Sequence, residues 1–298
     1  LGYRFFASRA HRSPGIHRGP EGLCACAGTL APAKATDSPA ALLAERLRGL
    51  PSADLTAPLA DLDGAFAAAA WDPAERQLRL IRDPFGVRSL YYVLQHGVLY
   101  FASELKQLLA IPDLDVELDY AALHKYLTFS FVPGESVPIR GVRRLLPGHV
   151  LRYARGEIQP APYFTLVEAE AVRAADDSER QAEAVRSLRR LGREAVARRL
   201  SGESEVGLYL SGGIDSSAVG RWLGDCGVRV RALSLDFGEA SVEREQAAEV
   251  AKSLGMEFEL IRVGGAEIAG VFDDLVHRLD LPFGDAVTGP QYLLGQAA

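Results

Sequence analysis

Residues 205–217 read EVGLYLSGGIDSS, and this stretch decides the fold of the second half of the chain. EVGLYL is an apolar strand, and a helical pattern, SSAVGRWLGDCG, follows it directly. Between them, Gly212 and Gly213 let the backbone turn sharply and come close to a ligand. The first amides of a helix have no intrahelical acceptor and carry the positive end of its dipole, so they favour anions. The hydroxyls of Ser211, Ser216 and Ser217 add donors at the same place. The spacing predicts a cradle for phosphate.

The elements around this loop set its context. Downstream, VRVRALSLDF, VEREQAAEVAKSLG and MEFELIRV alternate strand and helix, which implies a parallel sheet with helices on its faces. Upstream, residues 166–200 are dense in Ala, Glu and Arg, with Val185, Leu188, Leu191, Val196 and Leu200 at helical spacing. They read as one or two amphipathic helices joining two domains. Before them lies a β-rich block: GAFAAAAWD, QLRLIRD and SLYYVLQHGVLYFAS, the last folding back at Gln95–Gly97 as a hairpin. Helices are expected over 39–50 and 117–127, and no element is assigned over 1–30. The expected domains are therefore 1–165, a helical connection 166–200, and 201–298.

Composition limits the function classes. The chain has 298 residues, 48% hydrophobic and 24% charged, which excludes disorder for the chain as a whole. No apolar run is long enough for a membrane helix, and the start lacks the core of a secretory signal, so a cytoplasmic location is expected. The net charge of −6 argues against a nucleic-acid surface. Cys24, Cys26 and Cys226 make neither a disulfide framework nor a zinc site. Met256 is the sole methionine, so the chain is expected to be a fragment.

The loop is not a Walker A motif, a GxGxxG turn or a GxSxG elbow. Its SGGxDS pattern resembles the pyrophosphate loop of the N-type ATP pyrophosphatases. Further stretches narrow that resemblance to the asparagine synthase family. Residues 61–72 (DLDGAFAAAAWD), 82–92 (RDPFGVRSLYY), 101–109 (FASELKQLL), 141–151 (GVRRLLPGHVL) and 279–285 (LDLPFGD) each look like a family motif. The likeness covers roughly residues 60–298.

The resemblance implies an α/β multidomain protein. Its N-terminal part would be a glutamine amidotransferase-like αββα sandwich of the Ntn-hydrolase type. Its C-terminal part would be a parallel-sheet, adenine nucleotide α-hydrolase-like (PP-loop) domain, truncated at its end. Leu210, Ser211, Gly212, Gly213, Asp215, Ser216, Ser217 and Leu235 would hold ATP and pyrophosphate, with Asp215 on Mg²⁺. Glu243 and Asp285 are further nucleotide or substrate contacts, or else a helix-terminal acid and a cap. The implied cofactors are ATP and Mg²⁺. The implied substrates are a carboxylate such as aspartate, with glutamine or ammonia.

The departures from the family are also informative. HRGPEG at 17–22 resembles its HRGPDG, which places the N-terminal nucleophilic cysteine upstream of the given residues. The stretch between Gly22 and Asp63 is too short for the NGEIYN-like and SDTE-like segments that bind glutamine. Cys24 and Cys26 lie mid-chain and lack the free α-amine. Leu281 stands where the family usually has Glu. A cyclase acting on a peptide or modified amino acid through an internal amine is thus an alternative, and a non-catalytic nucleotide-binding protein is another.

Overall fold

The structure is a computed structural model describing residues 15–19, 22–31, 38–48, 56–167, 178–200, 202–238 and 244–298. The chain divides into two compact units. One holds residues 1–167 with Asp280–Gly284, and the other holds 168–279 with Asp285–Ala298. Among the described residues, no helix is long and apolar enough to cross a membrane.

The first unit is built on a six-stranded sheet. Strands β1 (Gly15–Gly19), β2 (Gly22–Ala31), β3 (Asp63–Asp72) and β4 (Gln77–Arg82) are followed in it by β8 (His149–Ala154) and β9 (Glu157–Pro162), every pair antiparallel. A second sheet joins β5 (Tyr91–Gln95), β6 (Val98–Ala102) and β7 (Arg143–Arg144), with β5 in the middle. Alternation along each strand sends neighbouring side chains to opposite faces. On one face of the large sheet, Cys24, Cys26, Phe66, Ala68, Ala70, Ile81 and Val150 pack against α1 (Pro39–Leu47) and α2 (Thr56–Ala60).

On its other face, Ala67, Leu80 and Leu151 meet Leu90, Tyr92 and Leu145 from the small sheet and its flanks. The outer face of the small sheet, Tyr91 and Val93, is covered by α3 (Leu105–Leu109) and by Val137, Ile139 and Val142. The layer order is therefore helix, sheet, sheet, helix, the expected sandwich. Each fully buried Leu in such a layer contributes about 1.5–3 kcal/mol.

Strands β1 and β2 are elements to which the sequence assigned nothing. Gly and Ala have little strand preference of their own, and it is the pairing of β1 with β2 and of β2 with β3, together with the cover of α1, that holds them extended. Helix α4 (Tyr120–Phe129) starts three residues later than expected, at the cap Asp119, whose carboxylate accepts from Ala122 N at 3.0 Å.

The turn after β4 carries two buried charges. Arg82 donates to the carbonyls of Arg88, Leu145 and Gly86 at 2.6–2.7 Å. Asp83, fully buried, accepts from the amides of Phe85, Val87 and Arg88 at 2.9–3.1 Å. Gly86 in this turn has φ +65°, and an added Cβ would sit 2.9 Å from the Arg82 guanidinium.

The second unit holds a three-stranded parallel sheet in the order β10 (Glu205–Tyr209), β11 (Arg229–Asp236), β12 (Glu257–Arg262). Helices α6 (Ile214–Asp225) and α7 (Arg244–Leu254) connect these strands. Their apolar faces bury Leu208, Leu210, Leu223, Val230, Ala232, Ala247 and Ala251. Residues 178–199 form a single helix, α5, which approaches α6 so closely that a Cβ on Gly192 would lie 2.3 Å from the Trp222 ring. Helices α8 (Gly265–Arg278) and α9 (Thr288–Ala297) pack on each other.

Replacing the buried Asp83 by Ala takes the acceptor from the amides of Phe85, Val87 and Arg88, and should destabilise the first unit by about 3 kcal/mol. Urea unfolding followed by Trp71 emission in a Trp222→Phe background measures it, and a loss below about 1 kcal/mol would show that the turn is not held this way.

Candidate functional site

The loop Ser211–Gly213 lies between β10 and α6, at the carboxyl end of the parallel sheet, where open α/β folds bind their ligands. Leu210 is 2% exposed and its amide donates to Leu233 O at 2.8 Å, which carries the ladder up to the loop. Gly212 then turns the chain with φ +79°. A Cβ there would lie 2.8 Å from Ala247 N on α7, so the turn needs glycine both for its torsion and for its closeness to a neighbouring backbone. Gly213 is the residue before the first helical turn of α6 and supplies no side-chain cap, leaving the early amides of that helix facing outward.

The serine hydroxyls organise the loop. Ser211 Oγ accepts from Gly213 N at 3.3 Å and lies 3.1 Å from Ser216 Oγ. Ser216 Oγ also accepts from Ser211 N at 3.3 Å and donates to Gly213 O at 3.2 Å. Ser217 Oγ donates to Gly213 O at 2.7 Å. The structure thus brings Ser211, Gly212, Gly213, Ser216 and Ser217 together around one turn, with the exposed carboxylate of Asp215 beside them in the first turn of α6.

Other expected residues have different settings. Leu235 is half-buried on β11; because Tyr209 pairs with Leu233, it stands level with Ser211. Glu243 lies outside the described residues. Asp285 Oδ1 accepts from Val287 N, Thr288 N and Thr288 Oγ1 at 2.7–2.9 Å, at the start of α9. Bonds from the Thr288 hydroxyl and amide, then from Val287, hold its pKa below the ordinary carboxylate value.

Two features have no counterpart in the sequence reading. Gly207, Tyr209 and Val219 line a recess of about 500 Å³ together with Asp215 and Ser216, and Tyr209 is 47% exposed there. Asp236, at the carboxyl end of β11, accepts from Gly238 N at 3.0 Å and pairs with Arg244 at 3.5 Å. The facing of Tyr209 depends on which edge of β10 stays open, which no local pattern encodes. Asp236 had a signal: it ends a parallel strand beside the loop.

Among the described residues, no cluster of three or more His, Cys, Asp or Glu could hold a metal. One carboxylate beside a phosphate cradle is nevertheless the donor set that suits Mg²⁺, which keeps several waters and takes the rest of its shell from phosphate oxygens.

Comparison with known proteins finds a family match in each half of the chain. Residues 55–164 match the glutamine amidotransferase domain family, and residues 187–298 match the asparagine synthase family. Glutamine-hydrolyzing asparagine synthetase 1 of Bacillus subtilis is 30% identical over 239 residues, 80% of this chain and 37% of that protein. Amidase chyE of Penicillium rubens is 30% identical over 244 residues, 76% of this chain and 35% of that protein. The chain thus spans little more than a third of the length of these relatives. A solved structure of glutamine phosphoribosylpyrophosphate amidotransferase from B. subtilis, complexed with ADP and GMP, aligns with TM-score 0.33 and 14% identity, covering 96% of this chain and 57% of that one.

Two outcomes follow from the geometry. Gly212→Ala should push α7 away from the loop and lower the melting temperature of the second unit by several degrees, whereas Gly224→Ala, with open space around its Cβ, should not; equal effects in differential scanning calorimetry would sink the close-packing argument. The hydrogen bonds to Asp285, whose folded-state pKa is depressed, stabilise α9 fully above the ordinary carboxylate range and are lost as pH falls through the depressed value. Hydrogen exchange of α9 should therefore speed up in acid, and Asp285→Ala should show that faster exchange already at neutral pH.

Proposed function

Residues 187–298 belong to the asparagine synthase family and residues 55–164 to the glutamine amidotransferase domain family, and on that premise we propose that the protein forms amides at the expense of ATP. The observation that supports this reading best is the serine-rich turn at 211–217, with its Gly212 backbone and the first amides of α6.

In the proposed reaction a substrate carboxylate oxygen attacks the α phosphorus of ATP. The bond to the β-phosphate oxygen breaks, and pyrophosphate leaves into the loop. An amine then attacks the acyl carbon, giving amide, AMP and a proton. Charge builds on the leaving pyrophosphate, so donors placed in advance lower the barrier. Amides of α6 and the hydroxyls of Ser211, Ser216 and Ser217 would supply those donors. Leu235 would lie beside the adenine, and Asp215 would hold the Mg²⁺ that accompanies ATP and neutralises phosphate charge. The carboxylate is proposed to be aspartate, with ammonia released from glutamine as the amine.

A second reading takes the amine from within the substrate, as in a cyclase acting on a peptide or a modified amino acid. One observation favours it. Between Gly22 and Asp63 no NGEIYN-like or SDTE-like segment, the kind that would bind glutamine, occurs.

The test uses the polypeptide encoded by the whole reading frame that contains these residues, assayed for pyrophosphate and AMP with aspartate plus ammonium or glutamine. Equimolar AMP and pyrophosphate are expected, and Asp215→Ala should lower kcat/KM by about 10²-fold or more with unchanged stability. Production of ADP, or ATP binding without AMP, would remove the amidation reading. Turnover only with a substrate carrying its own amine would select the cyclase.

A further inference from the structure

The serine-rich loop occupies the start of α6, and a carboxylate stands at the start of the neighbouring α7. Asp236 closes β11, and alternation along that strand puts it on the face of Val230 and Ala232, which α6 and α7 cover. Its Oδ1 accepts from Gly238 N at 3.0 Å and lies 3.5 Å from the guanidinium of Arg244, the first residue of α7. Both contacts use the same oxygen, so Oδ2 has no hydrogen bond among the described residues. The side chain is 18% exposed, so a ligand can touch it.

Two measures place Asp236 close to the loop. Continuing the register of Tyr209 with Leu233 sets Asp236 level with Gly212, on strands spaced about 4.8 Å apart. On α7, a Cβ at Gly212 would meet Ala247 N, and Asp236 pairs with Arg244, just under one turn earlier along that helix. A nucleotide held at the loop by its phosphates therefore has its sugar within reach of this carboxylate. A carboxylate only accepts hydrogen bonds, so it repels phosphate oxygens and suits a neutral hydroxyl. In doubly wound sheets an acidic residue at the end of the second strand, about 20 residues after the phosphate-binding glycines, accepts from a ribose hydroxyl. Asp236 ends the second strand of this sheet, at about that distance from Gly212.

Resting on the reading that the loop holds ATP, we propose that Asp236 Oδ2 accepts a hydrogen bond from a ribose hydroxyl of the nucleotide and so selects ribonucleotides over deoxyribonucleotides. Gly238 N holds Oδ1 in place, and Arg244 offsets the repulsion between the carboxylate and the phosphates.

The polypeptide encoded by the whole reading frame is dialysed to equilibrium, with Mg²⁺, against ATP, 2′-deoxy-ATP and 3′-deoxy-ATP, a binding measurement that needs no turnover. ATP should bind about tenfold more tightly than at least one of the two analogues, as loss of one hydrogen bond to a charged group predicts. Asp236→Ala should weaken ATP to the level of that analogue and leave the analogue's own binding unchanged. Asp236→Asn, which keeps a weaker acceptor in the same place, should restore part of the preference. Arg244→Met separates this role from a structural one, because it breaks the ion pair to α7 and should still prefer ribose. Equal binding of ATP and both analogues by the unaltered chain overturns the proposal and leaves the loop's hold on ATP standing. So does an Asp236→Ala loss that is the same for ATP and the analogues, which is what a carboxylate that only holds the turn or a cation predicts. Failure of ATP to bind at all removes the loop reading and this one together. If Asp236→Ala does not fold, a preference in Asp236→Asn equal to that of the unaltered chain overturns the assignment.

Discussion

A buried charge must be met by partners, and the first unit is arranged around that demand. Arg82 and Asp83 are adjacent in sequence, at the point where β4 leaves the large sheet, and both are almost wholly removed from water. Each is satisfied by main-chain groups. Asp83 gathers the turn 85–88, and its own carbonyl accepts from Gly86 and Gly148, the latter just ahead of β8. Arg82 reaches Leu145 beyond the small sheet, and its carbonyl accepts the Tyr163 hydroxyl at 2.7 Å. These bonds join strands from both sheets to one turn. The apolar layers supply most of the stabilisation, but they are non-directional; the charges choose which turn goes where. Arg79, on the other face of the same strand, is met by the side chains of Gln77 and Asp72 instead of main-chain carbonyls.

In the second unit the corresponding constraint is closeness of backbones. Gly212 lets the loop touch α7, Gly220 lets α6 approach Leu208 and Met256, and Gly192 admits the Trp222 ring. Small residues at these three contacts bring α5, α6 and α7 onto the unit tightly enough to aim the start of α6 at the end of β10. The serines then hold the turn through their own hydrogen bonds, with the hydroxyls of Ser216 and Ser217 both donating to Gly213 O.

Much of this was legible in the chain because its signals are local. β-rich and apolar stretches marked β3, β4 and β10, helical spacing marked α5, and glycines flanked by serines marked the loop. Other features were not, because their causes are distant. Gly22–Ala31 is a strand only because β3 pairs with it and α1 covers Cys24 and Cys26. Asp285 reads as a ligand or a cap from its neighbours in sequence, and only the fold brings its Oδ1 within reach of the Thr288 amide and hydroxyl. Leu281, in place of an acid, packs against the cluster of Tyr91, Val93 and Leu105, so its apolar character has a structural use.

The amino-acid sequence by itself carries the family likeness, since SGGIDSS between an apolar strand and a helix and the motifs around it all resemble the asparagine synthase family. It also determined the alternation of strand and helix from β10 to β12, because hydrophobic period is a local property. Tertiary structure alone decided which partners meet the polar groups once they are buried. Arg79 and Arg82 are the same residue type on the same strand, and nothing in their flanking sequence distinguishes a guanidinium met by main-chain carbonyls from one met by side chains. That difference depends on which loops and helices arrive from far along the chain, and therefore on the folded arrangement.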